Sequence, residues 1–448
     1  MKTEFNSVNI NNAAKHLSDA IKIKTVSNID SDKVDWDKFD EFLVFLENTY
    51  PNVHSVCKKE MVNKYSPVYL WEGKNKNIKP ILLLGHYDVV PAEDTSENLW
   101  KEPAFSGLIK DGSIWGRGSL DDKNQVIAIM EAAEYLIANN FEPVRDVYFA
   151  FGFDEEVGGY KGANEISKLF QERSLEFDFV IDEGGCVIKD MMEGLTQPIA
   201  VIGITEKGST NIKITVEGKS GHSSMPPRDT SAAVLARIIS NTEKNQMPAK
   251  LTLPVQGLFE KIAPFMGNKK FVLKNIKSLF PLINGTLAKS PTLNSMIRTT
   301  ITFTKLSGGD ALNVIPREVS AYANMRILPG DTVNDALDHI KKVNSGIDFK
   351  IELLTNEEAS PISPVDVDGY RAIESITKDI YPKAVPVPYL MSGGTDSRKY
   401  YNVCNNIYRF AAAMMSKEDN ESVHSVNEKI TVENFKNMIR FFVEIMGR

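Results

Sequence analysis

The sequence predicts an α/β protein with a mixed, mainly parallel sheet between helices, interrupted by an inserted α+β domain. Two observations support this fold class. Up to about residue 204, short apolar runs alternate with amphipathic helical patterns, which favours parallel strands packed between helices. From about residue 205 the strand patterns alternate apolar and polar residues instead, which is typical of an antiparallel sheet with one face in water.

These patterns divide the chain into three segments. Residues 1–204 and 331–448 are predicted to form the two parts of a main domain, and residues 205–330 the inserted domain. A stretch near residues 250–295 has irregular helical signals, and we interpret it as an elaboration of the insert. The length of 448 residues agrees with more than one domain, because single cores seldom grow that large.

In the first segment the elements follow from periodicity. Helices are predicted in LSDAIKIKT, WDKFDEFLVFLENTY, QVIAIMEAAEYLIANNF and YKGANEISKLFQER. Strands are predicted in the apolar runs ILLLG, VYFAFGF and FDFVID. Because the strands alternate with helices, their carboxyl ends should meet at one edge of a parallel sheet, where ligand sites usually lie.

The later segments are interpreted in the same way. NIKITVEGK, IRTTITFTKL and EVSAYANMRI are strands of the insert, while DTSAAVLARIISNTEK and DTVNDALDHIKKVN are helices that each begin with a good Asp-Thr cap. Two such helices on one face of a short antiparallel sheet form a compact α+β unit. The main domain then resumes with the strand FKIELL, the helix YRAIESITKDIY and the strand-like NIYRFAAA.

Composition excludes several classes of partner. The net charge of −7 argues against nucleic acid, which needs a basic surface. No segment approaches the ~18 apolar residues of a membrane helix, and no secretory signal is recognisable at the N-terminus. Cys57, Cys186 and Cys404 are widely spaced and odd in number, which predicts a reducing, cytoplasmic location.

The most informative stretch is FDEEVGG, where Asp154, Glu155 and Glu156 follow a predicted buried strand. Carboxylates at a buried strand end lose hydration unless a cation compensates them. Taken alone, a solvated loop is the simpler interpretation. A functional interpretation therefore requires further ligands elsewhere in the chain.

Candidate ligands occur in two other motifs. His86 follows the strand ILLLG, and Asp88 could accept a hydrogen bond from its ring. Asp121 and Asp122 lie in the glycine-rich GSIWGRGSLDDKN, where helix capping is the alternative role.

The stretch VIDEGG adds Asp182 and Glu183 after a further strand. If the strands are parallel, all these groups converge on one edge. Histidine and carboxylates without cysteine favour Zn²⁺, with Mn²⁺ or Co²⁺ as alternatives. Their number favours two metal ions and a bridging carboxylate. A complete P-loop, an HExxH motif and a GxSxG motif are all missing from the sequence.

The motifs also resemble a known family in their order along nearly the whole chain. GHYDVVP, WGRGSLDDKN, FDEEVGGYKGA, VIDEGG, GHSSMPP, NVIPREVSAYANMRILPG, SGGTDSR and VHSVNE are similar to those of the aminoacylase/carboxypeptidase S/dipeptidase family of dinuclear zinc metallopeptidases. The resemblance is greatest to the carboxypeptidase S branch. It implies a zinc-peptidase catalytic domain, a ferredoxin-like inserted lid domain and two Zn²⁺ per chain.

The resemblance also implies roles for individual residues. Asp121 would bridge the two metal ions, and Glu183 is the alternative to Asp182 as the fifth ligand. The implied metal ligands are His86, Asp121, Glu156, Asp182 and His424. The implied catalytic residues are Glu155 as general base and acid, Asp88 as partner of His86, and His222, which would reach the scissile carbonyl. The implied substrate-binding residues are Asn313, Arg326, Gly393, Gly394 and Thr395.

The activity that the resemblance implies is hydrolysis of an amide bond next to a free carboxylate, by attack of a metal-bridging hydroxide. The substrate would be a small peptide or an N-acyl amino acid, so carboxypeptidase, dipeptidase and N-acyl-amino-acid amidohydrolase all remain open. Alternatives are a deacylase specific for one biosynthetic N-acyl amino acid, a catalytically inactive binding protein and a two-metal phosphoesterase. The retained base disfavours the second alternative, and the scarcity of clustered Lys and Arg disfavours the third. Both a monomer and a homodimer are compatible with the sequence.

Overall fold

The computed structural model describes residues 8–92, 99–192 and 194–448. Its helices are α1 (Ile10–Lys22), α2 (Trp36–Thr49), α3 (Pro51–Val56), α4 (Lys123–Ala138), α5 (Ala163–Glu172), α6 (Ser231–Lys244), α7 (Leu253–Ile262), α8 (Lys270–Lys274), α9 (Ile276–Leu287), α10 (Pro291–Met296), α11 (Val333–Val343), α12 (Asp368–Ile380), α13 (Lys417–Ser422) and α14 (Val432–Met446).

The strands alternate with these helices through most of the chain. They are β1 (Lys58–Val62), β2 (Ser66–Trp71), β3 (Ile81–His86), β4 (Ile109–Lys110), β5 (Ser113–Trp115), β6 (Val147–Gly152), β7 (Phe179–Asp182), β8 (Val187–Ile188), β9 (Ile199–Glu206), β10 (Gly208–Glu217), β11 (Gly221–His222), β12 (Thr300–Ser307), β13 (Val314–Ile315), β14 (Glu318–Ile327), β15 (Lys350–Leu353), β16 (Val385–Met391), β17 (Ile407–Arg409), β18 (Met414–Met415) and β19 (Lys429–Thr431).

The main sheet has the strand order β1-β2-β6-β3-β7-β17-β9-β8-β18, and β16 pairs with β9. Its centre is parallel, because β3 pairs in parallel with β6 and β7, and β7 with β17. Antiparallel pairs such as β1–β2, β2–β6 and β8–β9 make the whole sheet mixed. The predicted fold class is therefore confirmed.

Helices cover both faces of the main sheet. One face carries a large apolar core shared with α1, α2, α4, α12 and α14. Helix α4 lies deepest, and most of its side chains are buried. The other face is covered by α5 at one end and by α7 to α10 at the other. The result is a three-layer arrangement in which the strand ends stay accessible at the sheet edge.

A second, antiparallel sheet has the order β12-β14-β10-β15. Burial alternates strictly along β10, so one face packs on α6 and α11 while the other faces outward. The Thr caps predicted for both helices are present, since Thr230 accepts a hydrogen bond from Ala233 N and Thr332 forms a capping box with Asp335. The α+β character expected of the insert is therefore observed.

Two boundaries differ from the sequence analysis. The insert was predicted to end at residue 330, but α11 packs on its sheet beyond that boundary. The stretch FKIELL was assigned to the main domain, but β15 pairs with β10, so the second sheet extends to Leu353. Such a short, largely exposed strand carries no pattern that shows which sheet it joins.

The helical stretch near 250–295 also differs, because α7 packs on β16 of the main sheet. A Cβ at Gly257 would lie 2.6 Å from Pro388 Cγ, which shows how closely α7 approaches that strand.

The chain passes between the two sheets at one place. It leaves the main sheet at Glu206 and returns near Ser360, where Ser360 N donates to Glu206 O at 3.0 Å and Thr205 Oγ1 donates to Ser360 O at 2.9 Å.

Among the helices in the described ranges, none combines the length and apolar character that a membrane crossing requires.

Candidate metal centre

Three neighbouring strands bring the predicted acidic groups to one edge of the main sheet. His86 is the last residue of β3. Glu155 and Glu156 follow β6 in a short 3₁₀ helix, Glu155–Val157, and Glu183 follows β7 directly. Since β3 lies between β6 and β7 and runs parallel to both, these ends are adjacent.

Asp121 connects two groups of potential ligands. Ligand atoms of His86, Asp121 and Glu183 lie within 4.8 Å of one another, as do those of Asp121, Glu156 and His424. Asp121 Oδ1 is 3.1 Å from His86 Nε2, and its Oδ2 is 2.9 Å from His424 Nε2. One carboxylate thus faces two imidazoles with different oxygens, which is the geometry of a bridging ligand.

Asp88 holds the acidic loop beside His86. Its two carboxylate oxygens accept hydrogen bonds from Glu155 N at 3.1 Å and Glu156 N at 3.2 Å. Asp88 Oδ1 also lies 3.3 Å from His86 Nδ1, and the main-chain oxygen of Asp88 lies 3.1 Å from the same nitrogen. These contacts orient the ring so that Nε2 points into the cluster.

Glu155 lies beside the cluster but belongs to neither group. Its Oε2 is 4.0 Å from His86 Nε2. Burial raises the pKa of Glu155 well above that of a free glutamate, and although His86 acts against this, the charges of Asp396 and Glu156 raise it further. A carboxylate with a raised pKa next to the ligand groups is suited to accept and return a proton.

The carboxylates of the cluster lack sufficient positive charge. Burial raises the pKa of Glu183 well above its usual value, and Asp121 and Asp122 raise it further. Burial also raises the pKa of Glu156, although a hydrogen bond from His424 acts against it. For Asp121, hydrogen bonds from His424 and His86 outweigh burial and hold the pKa below its usual value. Imidazole and carboxylate donors around this excess negative charge fit two divalent cations such as Zn²⁺.

Glu183, rather than the favoured Asp182, has a carboxylate oxygen close to the ligand atoms of His86 and Asp121, so the geometry favours the alternative fifth ligand. Asp182 is 1% exposed, and its Oδ2 accepts a hydrogen bond from Ser397 N at 2.7 Å. It therefore supports the loop after β16. Side chains alternate along a strand, so adjacent acids point in different directions, and the sequence does not show which one faces the site.

Glu428 was missed by the sequence analysis. Its Oε1 accepts hydrogen bonds from the main-chain N–H groups of Gly118 (3.0 Å), Leu120 (2.8 Å) and Asp121 (3.3 Å). Its Oε2 pairs with Arg117 Nη1 at 2.6 Å, and both side chains are buried. Because Glu428 lies four residues after His424, it fixes the two ligand loops relative to each other. The final acid of VHSVNE was the available signal.

The predicted carboxylate-binding residues meet near the passage between the sheets. Arg326 Nη1 is 3.5 Å from Ser392 O, directly before Gly393, Gly394 and Thr395. Thr395 donates to Glu206 Oε1 through its main-chain N (3.1 Å) and its hydroxyl (2.7 Å).

Glu206 and its partners were also missed. The buried Glu206 pairs with Arg409 Nε at 2.8 Å and lies 3.8 Å from Arg398 Nε. Arg398 in turn contacts Glu357 at 2.9 Å. This network connects the loop after β16 with both passages of the chain between the sheets. Buried ion pairs have no pattern in the sequence, which explains the omission.

His222 and Asn313 lie together at the short β11–β13 ladder of the insert. His222 pairs with Val314 in the short β11–β13 ladder, and Ser223 N donates to Asn313 O at 3.1 Å. The ring of His222 is exposed and contacts Ser224. No hydrogen bond or ion pair found in the described part of the chain joins either residue to the ligand groups.

Comparison with known proteins identifies related chains. The profile of the peptidase family M20/M25/M40 matches residues 82–448. The chain is 38% identical over 443 residues to the probable carboxypeptidase S-like 2 of Dictyostelium discoideum, covering 97% of this chain and 84% of that protein. It is 36% identical over 440 residues to the N-fatty-acyl-amino acid synthase/hydrolase PM20D1 of Homo sapiens, covering 96% and 86%.

Carboxypeptidase S of Saccharomyces cerevisiae is 30% identical over 492 aligned residues, covering 97% of this chain and 83% of that protein. Among solved structures, the M20 family metallo-carboxypeptidase Sso-CP2 of Sulfolobus solfataricus has a TM-score of 0.68 at 20% identity, covering 97% of this chain and 98% of that one. The di-peptidase Dug1p of Saccharomyces cerevisiae has a TM-score of 0.65 at 17% identity, covering 98% and 95%. Both share the fold of the whole chain.

Proposed function

Because the chain belongs to the peptidase family M20/M25/M40, on its carboxypeptidase S branch, we propose that it hydrolyses an amide bond next to a free carboxylate. One observation carries the proposal: the two oxygens of Asp121 face His86 and His424, each completed by a further glutamate. We assign one metal ion to His86, Asp121 and Glu183 and the other to Asp121, Glu156 and His424. Zn²⁺ is the expected ion.

The residues around this centre have distinct parts in the reaction. Two bound zinc ions would supply an activated water and polarise the scissile carbonyl. Glu155 takes the proton from the attacking water on its carboxylate and delivers it to the leaving amine. Asp88 keeps His86 and the Glu155–Glu156 backbone in place through the contacts described above. Removing a correctly placed base of this kind typically lowers the rate by a factor of about 10²–10⁴.

The substrate carboxylate is assigned to Arg326 and the loop Gly393–Thr395. The Arg326 guanidinium beside the exposed main chain of Gly393 and Gly394 suits a carboxylate, which accepts several hydrogen bonds at once, while Thr395 holds the loop through its two hydrogen bonds to Glu206. We also keep the prediction that His222 assists at the carbonyl, which requires the β11–β13 ladder to lie next to the bound substrate.

The relatives support two kinds of substrate. Carboxypeptidase S by its name acts on peptides, and PM20D1 is named for N-fatty-acyl amino acids. Both kinds contain an amide bond next to a free carboxylate, so both agree with the proposed site. A panel of dipeptides, longer peptides and N-acyl amino acids, assayed with defined zinc, separates them.

The proposed base is tested by Glu155→Gln. We expect kcat to fall at least about 100-fold while bound zinc stays at the wild-type level, because Glu155 lies outside both ligand groups. Metal content is measured by atomic emission and turnover on the substrate panel. Glu172→Gln, an exposed position on α5, is the matched control and should match wild type. Substantial turnover by Glu155→Gln would remove the assigned base.

The fifth ligand is tested by comparing Glu183→Gln with Asp182→Asn. If Glu183 is the ligand, its variant should retain about one equivalent of zinc per chain, because one of the two groups loses a donor. Asp182→Asn should keep both equivalents and instead loosen the loop after β16. The reverse pattern of metal content would restore the preference for Asp182.

A further inference from the structure

A cavity of about 470 Å³ lies directly beside the proposed catalytic loop. Val157 and Gly158, the residues that follow Glu155 and Glu156, form part of its lining. The volume falls within the range of roughly 300–1,000 Å³ that is typical of small-molecule sites. None of the proposed metal ligands or substrate-binding residues lines it, although Glu357 of the Glu206–Arg398–Glu357 network does.

One wall of the cavity is apolar and belongs to the main domain. Trp36, Phe153 and Tyr160 contribute aromatic rings, and Ile29 and Val34 add aliphatic groups. Trp36 stacks on Tyr65 with ring centroids 4.6 Å apart, so this wall is supported from behind by further aromatic rings. The wall is therefore formed before any ligand arrives.

Part of this apolar wall is exposed to water. Ile29 is 88% exposed and Tyr160 is 57% exposed. Large apolar side chains at the rim of a cavity gain free energy when a ligand removes them from water. The exposed Ile29 therefore favours an apolar group at this side of the cavity, while Asp154, Lys161 and Glu357 are the charged residues of the lining.

The opposite wall comes from the outward face of the second sheet. Ser209 and Asn211 of β10 line the cavity, and Thr355 follows β15. In the strand register, Ser209 lies opposite Arg326 and Asn211 opposite Asn324. The cavity thus lies between the catalytic loop and the strand pair that carries the proposed carboxylate-binding arginine.

We propose that this cavity is a specificity pocket for an apolar group of the substrate. The inference rests on the proposed amide hydrolysis, since it places a substrate between Glu155 and Arg326. The apolar group has two sources: the acyl chain on the amide nitrogen, or the side chain of the residue that carries the free carboxylate. Both present the same chemistry to Ile29, Trp36 and Tyr160.

Two substrate series distinguish these sources. One series varies the acyl chain from acetyl to decanoyl on alanine, and the other keeps the acetyl group and varies the amino acid from alanine to leucine and phenylalanine. With zinc-loaded enzyme, kcat/KM should rise with apolar size in one series. That series identifies the group that enters the pocket. Hydrolysis by the wild-type enzyme without such a rise in either series would overturn the inference.

Two pocket variants test the assigned residues. Ile29→Asp places a charge at the exposed rim, and Tyr160→Ala removes part of the apolar wall. We expect each to lower the ratio of kcat/KM between the longest and shortest substrate about tenfold in the responsive series, as apolar pockets discriminate by such factors. Leu282→Asp on α9, 80% exposed and outside the cavity, is the matched control and should keep the wild-type ratio. Unchanged ratios in both pocket variants would contradict the proposal.

Calorimetry separates this inference from the proposed function. Binding of N-decanoyl-alanine and N-acetyl-phenylalanine to zinc-loaded Glu155→Gln is compared with and without Ile29→Asp. Weaker binding of one ligand in the double variant would support the pocket, whether or not the wild-type enzyme hydrolyses the substrates. Absence of hydrolysis by the wild-type enzyme would refute only the proposed function. Hydrolysis by wild type with identical binding in both variants would refute only the pocket.

Discussion

The carboxylate of Glu428 joins the two loops that supply Asp121 and His424. It accepts three main-chain hydrogen bonds and pairs with Arg117 in a buried position. Asp121 and His424 are far apart in the chain, so their mutual distance depends on such a connection. A residue that contacts no metal can in this way set the spacing of two ligands.

Glu428→Gln should therefore reduce both stability and metal affinity. The variant keeps the shape of the side chain but leaves Arg117 as a buried charge without its partner, which costs about 2–4 kcal/mol. Urea unfolding measures the free energy, and chelator competition measures zinc affinity. The control Glu142→Gln breaks an exposed pair with Lys74 and should change the free energy of unfolding by less than about 0.5 kcal/mol. Equal effects of the two variants would argue against the assigned role.

Individual site residues were predictable from the sequence where they follow strands. His86, Glu155 and Glu156 could be placed at one edge because apolar runs mark β3 and β6. The choice between Asp182 and Glu183 was not predictable, since adjacent residues at a strand end point in different directions. His424 came only from the resemblance, because the loop between α13 and β19 has no distinctive pattern.

At the scale of elements, the passage from β9 to β10 connects three parts of the molecule. Lys207 lies there, 2% exposed, and its Nζ donates to Ser295 O at 2.8 Å and Arg298 O at 2.9 Å. It thus ties the end of the α7–α10 stretch to the start of the second sheet. Burial, with Arg326 nearby, lowers the pKa of Lys207 to about 8.

The lowered pKa of Lys207 makes stability depend on pH in a defined window. Between about pH 8 and 10.5 the unfolded chain binds a proton that the folded chain does not, so stability rises with pH. The free energy of unfolding of wild type minus that of Lys207→Met should therefore increase by up to about 3 kcal/mol as the pH rises through this window. Urea unfolding at several pH values measures the difference. For Lys74→Met, at an exposed position, the difference from wild type should not change with pH. A difference between wild type and Lys207→Met that does not change with pH would contradict the assignment.

Elements with strong periodicity were predicted correctly, and weaker ones were misplaced. Helices α2, α4, α6 and α11 follow their apolar patterns, and strands β10 and β14 alternate as expected. The strand β15 was assigned to the wrong sheet, because four largely exposed residues give no information about pairing partners. The α7–α10 stretch was interpreted as part of the insert, whereas its apolar side chains pack on β9 and β16. Sequence patterns report burial but not the surface against which a side chain is buried.

At the scale of the whole molecule, the proposed ligands come from distant segments that only the complete fold assembles. The first four lie between His86 and Glu183, while His424 arrives after the chain has built the second sheet and returned. The proposed substrate-binding loop and both passages between the sheets share the Glu206–Arg398–Glu357 network. The loop after β16 and the position of the insert therefore depend on one connected set of contacts.

The chain enters and leaves the insert at one place, and this determines how the insert could be deleted or moved to another protein. Because Glu206 and Ser360 are hydrogen-bonded neighbours, a deletion that joins them would close the backbone without a gap. Yet the excised piece would include α7, which covers Val201, Val387 and Leu390 of the main sheet. A truncated chain would expose this apolar surface to solvent and would tend to self-associate. The segment is therefore transferable between proteins only together with the strand surface on which its middle part rests.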